Sequence, residues 1–517
     1  MLSIFLDFPY EPSFDPTGAG GAFGMTARCV MVLGTSSGAG KSWIATALCR
    51  HYANQGLRVA PFKAQNMSNN ARVVPASDGA QGEIGSAQYF QALAARAQPD
   101  VRMNPLLLKP EADTHSQVVL MGQVDEALSR LPWHGRGEAV WPRIAAALDA
   151  LRAENDVVVV EGAGSPAEIN LMATDVVNLR VARHADARCL LVTDIDRGGA
   201  FAHLYGTWAL LPEADRARIQ GFVLNKFRGD PALLAPAPEQ LRELTGIPTV
   251  AVVPMRHGHG LPEEDGWFGD GTAATAESPG ERMTRIAIVA YPRISNLDEF
   301  QPLRSVPGIR LVWARDAAQL EGADWIILPG SKATASDLAW LRAQGLSGVI
   351  ARHAARGGRV LGICGGLQML GEAVIDLDGI EPAGSGPGLG LLPLVTQFAR
   401  RKTVSRGAWR FGALHGAWAA LSGVPVKGYE IHSGRTVQHP GMAAKGDVAR
   451  VAIPGMAWHN AAGNVLGLYL HGLFEDADAL RALFGVDAPP LEAAFEQLAA
   501  AVRQAFAPGT LAALVAG

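Results

Sequence analysis

The cysteine Cys364 lies in the glycine-rich stretch GICGGLQMLG, which follows an apolar run and precedes a stretch with helical character. Glycines stand two residues before and two residues after it, the spacing of a nucleophile on a sharp turn from strand to helix. A thiol at the start of a helix is also more acidic, because the helix dipole and free N–H groups stabilise the thiolate. From this stretch alone, a catalytic nucleophile and a small buried side chain in a tight turn are equal interpretations.

Two other strand ends carry the groups that a cysteine nucleophile needs. His471 follows the apolar run in LGLYLHGLF and can act as a general base. Backbone N–H groups of Gly330 and Ser331, in IILPGSKAT, and of Gly365 can bind an oxyanion. Together these groups favour acyl transfer at Cys364 over a structural cysteine.

The stretch GTSSGAGKS lies between an apolar strand and an alanine-rich helix and is typical of a phosphate-binding loop. Backbone N–H groups of such a loop attract phosphate oxygens, and its lysine neutralises the outer phosphates. The first glycine departs from the usual pattern, because Thr35 occupies its position and Gly34 stands one residue earlier. The predicted nucleotide-binding residues of the loop are Gly34, Thr35, Gly38, Gly40, Lys41 and Ser42.

Oxygen-bearing side chains near this loop predict a magnesium site. The Ser42 hydroxyl can ligate Mg²⁺, and Glu161 ends the buried strand of DVVVVEGAG, where a carboxylate can hold the ion. Asp78 or Glu83, in SDGAQGEIGSAQ, can add a second carboxylate, although a solvated loop acid is at least as good an interpretation of both residues. The predicted metal ligands are therefore Ser42, Glu161 and Asp78.

Two more strands end in polar clusters. The stretch LLVTDIDRGGAF places Asp194, Asp196 and Arg197 at a strand end, which favours contact with a substrate or a metal ion over a solvated loop. The stretch VLNKFRGD places Asn225 and Lys226 after the next strand, at a position suited to contact with a purine. We therefore assign the first three residues to the substrate and the last two to the nucleotide.

The elements that must position these residues form two α/β series. From residue 28 to about 254, short β-branched runs alternate with alanine-rich amphipathic stretches, the pattern of a parallel sheet with helices on both faces. Residues 265–284 are rich in Gly, Ser, Thr and Pro and lack periodicity, which indicates a linker. A second α/β series follows. Ligands of open α/β sheets bind at the carboxyl ends of strands, where these polar residues stand.

The predicted fold class is α/β, with a P-loop NTPase-like parallel-sheet domain followed by a second α/β domain. The predicted segments are an N-terminal extension expected to be disordered (1–27), the P-loop domain (28–264), the linker (265–284), the second domain (285–476) and a helical tail (477–517). Within the tail, apolar residues from Leu491 to Phe506 recur at helical spacing, so packing is their expected role.

Composition excludes several classes of function. The chain has 517 residues, 48% of them apolar and 18% charged, and a formal net charge of −4, which fits a globular protein without a general nucleic-acid-binding surface. No stretch reaches the roughly 18 to 20 apolar residues that span a bilayer, and the first residues lack the pattern of a signal peptide. The four cysteines form no CxxC pair, which argues against disulfides and a zinc site and favours the cytoplasm.

The cysteine half resembles the class I glutamine amidotransferases, in which a cysteine takes the acyl group of glutamine and releases ammonia. That class carries an acid two residues after the histidine, but Leu473 occupies this position here and Glu475 is the nearest acid. The cobalamin-pathway branch of the class is similar in lacking that acid. We therefore expect a single histidine as the partner of Cys364, without a third residue.

From about residue 28 to 476 the chain resembles the cobyric acid synthase family of cobalamin biosynthesis. The stretches that carry the resemblance, in the family's order, are KAQNMSNNA (63–71), GEIGSAQ (82–88), MNPLLLKP (103–110), EGAGSPAEINL (161–171), DIDRGG (194–199), LPEEDG (261–266), RISN (293–296) and GYEIHSGRT (428–436). The family's first half is related to dethiobiotin synthetase, whose P-loop has the same extra residue as this chain. The resemblance further implies that Lys63 contacts the nucleotide and that Asn66 and Glu83 contact the substrate.

The resemblance implies ATP, Mg²⁺ and glutamine as ligands and a corrinoid, adenosylcobyrinic acid a,c-diamide, as the substrate. ATP would convert a propionate carboxylate of the corrinoid to an acyl phosphate. Ammonia released at Cys364 would then convert the acyl phosphate to an amide. The b, d, e and g propionates would be amidated in this way. One alternative is cobyrinic acid a,c-diamide synthase, which carries a Gly-Pro-Asp-Tyr-type motif where this chain has KAQNMSNN. The other is a P-loop switch ATPase with a degenerate amidotransferase domain, against which the intact cysteine, histidine and oxyanion loop argue.

Overall fold

The structure is a computed structural model, and it describes residues 26–76, 79–112, 115–256, 260–261, 283–487 and 491–516. Asp78, one of the predicted metal ligands, lies outside the described residues, as do most of the predicted linker and nearly all of the N-terminal extension. None of the described helices is long and apolar enough to cross a bilayer.

The first domain is built on a parallel six-stranded sheet flanked by two smaller sheets. Its described strands are β1 (Arg28–Gly34), β2 (Val59–Phe62), β3 (Gln65–Met67), β4 (Ala71–Pro75), β5 (Gln81–Gly85), β6 (Leu106–Ala112), β7 (His115–Leu120), β8 (Gln123–Val124), β9 (Val157–Glu161), β10 (Arg188–Asp194), β11 (Ile219–Phe227) and β12 (Thr249–Pro254). Its described helices are α1 (Lys41–Ala53), α2 (Ser86–Ala94), α3 (Glu126–Arg130), α4 (Trp133–Glu154), α5 (Leu179–His184), α6 (Ala200–Leu210), α7 (Glu213–Arg216) and α8 (Ala237–Thr245).

The main sheet of this domain has the order β12-β11-β10-β1-β9-β2. Every residue of β9, VVVVE, is buried, because helices cover both faces of the sheet and leave no solvent side for alternation. All neighbouring strands of this sheet run parallel, so their carboxyl ends meet at one edge. The α/β domain predicted from the alternating runs is therefore confirmed.

Two small sheets lie between the main sheet and the second domain. One has the order β3-β6-β7-β8, and the other is the antiparallel hairpin of β4 and β5. The sequence analysis predicted neither, because short strands such as QNM and QV have too few residues to show a period. The β4–β5 hairpin carries Arg72 and Glu83 towards the second domain.

The second domain has a mostly parallel sheet and a long hairpin. Its described strands are β13 (Thr284–Val289), β14 (Ile294–Ser295), β15 (Ile309–Ala314), β16 (Trp325–Leu328), β17 (Gly330–Ser331), β18 (Arg359–Ile363), β19 (Ala373–Ile375), β20 (Gly386–Pro387), β21 (Leu394–Arg410), β22 (Pro425–Gln438), β23 (Arg450–Ile453), β24 (Ala457–His459) and β25 (Val465–Leu468). The helices that follow the linker are α9 (Ala317–Leu320), α10 (Thr334–Ala343), α11 (Leu346–Ala355), α12 (Gly365–Leu370), α13 (Pro440–Ala443), α14 (Ala477–Phe484), α15 (Leu491–Ala505) and α16 (Thr510–Val515).

The main sheet of the second domain has the order β15-β13-β16-β18-β25-β24-β23, so β18 lies at its centre. The five strands from β15 to β25 pair in parallel, and β24 and β23 close the sheet as antiparallel edge strands. β21 and β22 pair along most of their lengths as an antiparallel hairpin. A 3-10 helix, Leu297–Ser305, follows β14.

The last two helices return to the first domain. Phe495, Leu498 and Val502 of α15 pack in one apolar cluster with residues of β1 and α1. The Tyr52 hydroxyl donates to the carbonyl oxygen of Leu511 in α16 at 2.9 Å. The apolar residues of the tail therefore pack as their helical spacing predicts. They pack against the first domain, although the second domain is nearer along the chain.

Candidate active sites and the link between them

Cys364 stands at the turn from β18 to α12, as the glycine spacing predicts. Its φ of 53° and ψ of −106° form a conformation that residues with a side chain rarely adopt. A Cβ on Gly366 would collide with the carbonyl oxygen of Leu328, so the turn requires glycine there. The Cys364 Sγ is buried, 3.3 Å from the carbonyl oxygen of Ile431. The strained turn therefore holds the thiol at the carboxyl end of the central strand.

A buried carboxylate lies beside the predicted catalytic histidine. Nδ1 of His471 lies 3.1 Å from Oε1 of Glu299, and Oε2 of Glu299 accepts from the N–H of Gly472 at 3.1 Å. The side chains of His471 and Cys364 line the same cavity. The expectation that His471 acts without a third residue is therefore wrong, because Glu299 on the 3-10 helix holds the ring from the other side.

Charge stabilises this arrangement. Burial alone would lower the pKa of His471, but the Glu299 carboxylate and the neighbouring Cys364 raise it to about 10. The imidazole is therefore protonated at neutral pH. The Tyr429 ring stacks on the imidazole, with centroids 5.3 Å apart, and restricts its orientation.

Glu299 was missed because it lies far from the histidine along the chain, 172 residues before it. The usual position for the acid, two residues after the histidine, holds the apolar Leu473, which is fully buried. The available signal was the stretch RISN, which carries the family resemblance and ends three residues before Glu299.

The predicted oxyanion residues converge beside the cysteine. β17, which consists of Gly330 and Ser331, pairs with β14. A Cβ on Gly365 would lie 2.8 Å from the backbone N of Ser331, and one on Gly330 would lie 3.2 Å from the His471 ring. The loops that carry Gly330, Ser331 and Gly365 therefore lie close together beside Cys364, and the oxyanion role of these residues stays a prediction.

Both domains line the cavity that contains Cys364. The first domain contributes Asn69, Lys109, Glu111 and Gln117 to its wall. Across the domain boundary, Nζ of Lys332 donates to Oε1 of Glu111 at 2.7 Å. A polar cavity of about 90 Å³ suits a small polar substrate, and closing it requires the two domains to be in contact.

Glu83, predicted to contact substrate, lies in the interface between the domains. Its buried carboxylate pairs with Lys109 of its own domain and accepts from Nζ of Lys402 in the second domain at 2.5 Å. Burial alone would raise the pKa of Glu83, but the two lysines lower it to about 2. Glu83 therefore lies at the contact between the two domains and not at the edge of the main sheet.

The predicted phosphate-binding loop joins β1 to α1. Gly38 and Gly40 have φ angles of 72° and 96°, which glycine adopts at little cost. Nζ of Lys41 donates to the carbonyl oxygens of Ser36 and Gly164, both at 3.0 Å. The lysine therefore crosses from its own loop to the loop after β9.

The residues predicted to contact the nucleotide from neighbouring strands also reach this loop. Nδ2 of Asn225 donates to the carbonyl oxygen of Ala39 at 2.9 Å, and Nζ of Lys226 donates to that of Gly38 at 2.8 Å. Behind Gly34, the Thr35 hydroxyl donates to that of Thr193 at 3.0 Å. The side chains of Asn225 and Lys226 therefore lie against the phosphate-binding loop.

Ser42 and Glu161 meet at the start of α1. The Ser42 hydroxyl donates to Oε1 of Glu161 at 2.8 Å, Lys63 Nζ donates to the same atom at 3.0 Å, and Gln91 Nε2 donates to Oε2 at 2.5 Å. Burial alone would raise the pKa of Glu161, but Lys63 and these hydrogen bonds lower it, so the carboxylate is ionised.

This donor set fits Mg²⁺. Neighbouring oxygen ligands of an octahedral Mg²⁺ ion lie about 2.9 Å apart, close to the spacing of the Ser42 and Glu161 oxygens. Within the described ranges, no group of three or more His, Cys, Asp or Glu could hold a metal ion. Mg²⁺ at this position would therefore depend on these two residues together with phosphate oxygens and water.

The residues predicted to contact substrate do not share one place. Oδ2 of Asp194 lies 3.1 Å from Lys226 Nζ and 3.4 Å from Arg197 Nε, and Oδ1 accepts from the N–H of Asp196 at 3.0 Å. This cluster therefore lies beside the phosphate-binding loop. Asn66 is buried, and its Nδ2 donates to Oε1 of Gln88 at 3.2 Å, so it faces α2.

Arg72, which the sequence analysis did not single out, connects the two domains. Its guanidinium is buried and pairs with Asp298, and it donates to both carboxylate oxygens of Glu475 at 2.6 Å. Its Cζ also lies 5.2 Å from the centre of the Tyr429 ring that stacks on His471. Asp298 directly precedes Glu299 on the 3-10 helix of the second domain. Arg72 of the first domain therefore anchors the helix whose Glu299 carboxylate contacts His471.

Two family models match the chain. One, described as a CobQ/CobB/MinD/ParA nucleotide binding domain, matches residues 30–264. The other, described as a CobB/CobQ-like glutamine amidotransferase domain, matches residues 285–479. The two matches follow the two α/β domains.

Curated relatives match nearly the whole chain. The cobyric acid synthase of Acidovorax ebreus (strain TPSY) is 73% identical over 499 residues, covering 95% of this chain and 99% of the relative. The cobyric acid synthase of Paracidovorax citrulli (strain AAC00-1) is 74% identical over 493 residues, covering 95% of this chain and 100% of the relative. A solved structure described as a glutamine amidotransferase covers 42% of this chain and 98% of its own, at 16% identity and a TM-score of 0.27, a likeness too weak to bear on function.

Proposed function

The chain belongs to the cobyric acid synthase family of glutamine-hydrolysing ligases, and on that premise we propose how its two sites act on a corrinoid. The substrate we propose is adenosylcobyrinic acid a,c-diamide, whose b, d, e and g propionates are amidated to give adenosylcobyric acid. The observation that carries the proposal is the occurrence of Cys364, His471 and Glu299 in one domain and of Lys41, Ser42 and Glu161 in the other.

The second domain releases ammonia from glutamine. The Cys364 thiolate attacks the side-chain carbonyl carbon, and backbone N–H groups of Ser331 and Gly365 stabilise the oxyanion. Protonated His471 gives its proton to the leaving nitrogen, and ammonia departs as the thioester forms. His471 then takes a proton from the water that hydrolyses the thioester, and Glu299 keeps the ring oriented in both steps.

The first domain activates the carboxylate. A carboxylate oxygen of the corrinoid attacks the γ-phosphorus of ATP. An acyl phosphate forms, and ADP departs as the leaving group. Lys41 neutralises the outer phosphates, while Ser42 and Glu161 would hold Mg²⁺, which neutralises charge on the phosphates when bound. Ammonia then attacks the acyl carbon, and phosphate leaves as the amide forms. Activation is necessary because a carboxylate oxygen alone is a poor leaving group.

Two finer assignments accompany this proposal. We propose that the purine lies near Asn225 and Lys226, on the basis of their contacts with the loop carbonyls. We also propose a cytoplasmic location, because ATP and glutamine are cytoplasmic metabolites and the described cysteines are unpaired thiols.

The decisive experiment counts amides by mass. Purified protein is incubated with ATP, Mg²⁺, glutamine and either cobyrinic acid or its a,c-diamide. We expect four amides on the diamide. Two amides on cobyrinic acid with none on the diamide would instead indicate the a,c-diamide synthase. Full ATP turnover by a Cys364→Ser variant with glutamine as the nitrogen source would favour a switch ATPase.

A further inference from the structure

A second cavity, of about 250 Å³, lies beside the phosphate-binding loop and takes no part in the chemistry described above. Four elements enclose it: the small sheet of β3, β6 and β7, helix α3, helix α4, and the segment that follows β9. Its wall is mainly apolar and includes Met67, Leu108, Val118, Leu128, Val140 and Leu171. An apolar cavity of this size beside a polar catalytic centre is a typical ligand site.

The cavity adjoins the atoms that would handle the transferred phosphoryl group. Gly164 lines it, and the carbonyl oxygen of this glycine accepts from Nζ of Lys41. On the other side, Gln65 and Met67 line it, two and four residues after Lys63, which pairs with Glu161. A ligand in the cavity would therefore have one end within reach of Lys41 and of the magnesium ligands.

The side chains of β3 alternate between the cavity and helix α2. Successive side chains of a strand point to opposite sides. Gln65 and Met67 therefore face the cavity, whereas Asn66 between them faces Gln88 of α2. Met67 is 49% exposed, so an apolar side chain stands at the open mouth, where a large ligand would cover it.

The cavity also offers a cation. The half-buried guanidinium of Arg136 lines it and donates to the carbonyl oxygens of Leu131 and Ser129, both at 2.8 Å. In the part of the chain that the structure describes, this guanidinium has no carboxylate partner. Of the acids in the wall, Asp175 accepts from three backbone N–H groups, and Glu168 lies at the exposed rim.

We propose that this cavity binds the corrinoid, with an apolar edge of the macrocycle against Met67 and Leu171 and with a substrate carboxylate on Arg136. This assignment rests on the proposed function and names where its acceptor substrate lies. The reacting propionate then reaches past Gly164 to Lys41. The cavity holds one edge of the ring and leaves the rest outside its mouth, so the ring can rebind in other orientations until each propionate has reacted.

Two variants and a control test the assignment. Met67→Glu places a negative charge at the mouth, and Arg136→Gln removes the cation but keeps a hydrogen-bonding side chain. Leu244→Glu is the matched control, because Leu244 is 65% exposed on α8 and does not line the cavity. We measure KM for cobyrinic acid a,c-diamide and for ATP, and corrinoid binding by equilibrium dialysis with the absorbance of cobyrinic acid a,c-diamide as the probe.

We expect both cavity variants to raise KM and Kd for the corrinoid about tenfold or more and to change KM for ATP much less, and the control to match the unchanged protein. Unchanged corrinoid Kd in both variants would overturn the assignment while leaving the activity intact. Equal loss of ATP and corrinoid binding in both would also overturn it, since that result indicates local damage. Wild-type protein that neither binds nor amidates the corrinoid would overturn the proposed function itself.

Discussion

The Cys364 thiol differs from other thiols of the chain by what faces it. Burial raises the pKa of Cys29 to about 11 and that of Cys189 to about 12, as expected for sulfur in an apolar core. Cys364 is also buried, but it faces an imidazole that Glu299 keeps protonated. A neighbouring imidazolium, rather than exposure, therefore distinguishes Cys364 from these two thiols.

At this scale, Cys364→Ala is expected to abolish amidation with glutamine but to keep most of the activity with a high concentration of ammonium salt. The variant removes the ammonia source and leaves the ATP site intact. Lys41→Ala is the matched variant in the other domain and should lose activity with both nitrogen sources. Amide formation with each source, followed by mass, measures both. Equal loss with both sources in Cys364→Ala would contradict a nucleophilic role.

The Glu299→Gln variant tests the third residue of the triad. Its neutral amide no longer stabilises the imidazolium, so the pKa of His471 falls from about 10 towards its ordinary value. The protonated form is the one lost as pH rises, so the alkaline limb of the glutaminase kcat/KM profile should move to lower pH. We also expect kcat/KM near neutral pH to fall by about 10²-fold.

The control for this variant is Asp149→Asn, which disrupts a half-exposed carboxylate pair with His184, 3.0 Å apart, in the first domain. It should leave the glutaminase profile in place. An alkaline limb that stays where it is in Glu299→Gln would show that Glu299 only fills space.

Among the elements, the β4–β5 hairpin and α2 form the physical connection between the sites. α2 carries Gln91, which donates to Glu161 in the nucleotide site, and β4 carries Arg72, which pairs with Asp298 beside Glu299. The main strands could be predicted from their long apolar runs. This hairpin could not, because its buried polar residues Arg72 and Glu83 pair with charged side chains of distant segments, which the local sequence does not reveal.

The Arg72→Met variant is expected to destabilise the protein by about 3 to 5 kcal/mol, because it leaves Asp298 and Glu475 buried without their cation. It should also lower glutaminase kcat/KM, since the helix that carries Glu299 loses its anchor. Urea denaturation and glutaminase assays measure the two effects. Arg58→Met, which removes an exposed pair with Asp156, is the control and should change neither quantity appreciably. A stable Arg72→Met protein with full glutaminase activity would contradict the connection.

On the scale of the whole molecule, the C-terminal helices α15 and α16 pack against the first domain and complete its core. Arg50 of α1 is fully buried and pairs with Glu492 of α15 at 2.8 Å, and the backbone bridge between Ala251 and Phe506 extends the contact to β12. The ATP-binding domain is therefore finished only after the amidotransferase domain has been made.

Phe495→Ala should accordingly destabilise the first domain, by about 3 to 5 kcal/mol, because it leaves a cavity between α15 and α1. We expect ATP binding to be lost at a lower urea concentration than glutaminase activity. Gln497→Ala, an exposed change on the same helix, is the control. Simultaneous loss of the two activities in Phe495→Ala would show that the domains unfold as one unit.

The sequence by itself determined both α/β domains, the cysteine turn and the phosphate-binding loop. Each depends on residues close together in the chain or on runs long enough to show a period, so local physics suffices. Only the tertiary structure decided that Glu299 serves His471, that Arg72 and Glu83 join the domains, and that the tail covers the first domain. Those partners are brought together by burial between distant segments, and burial depends on the whole fold.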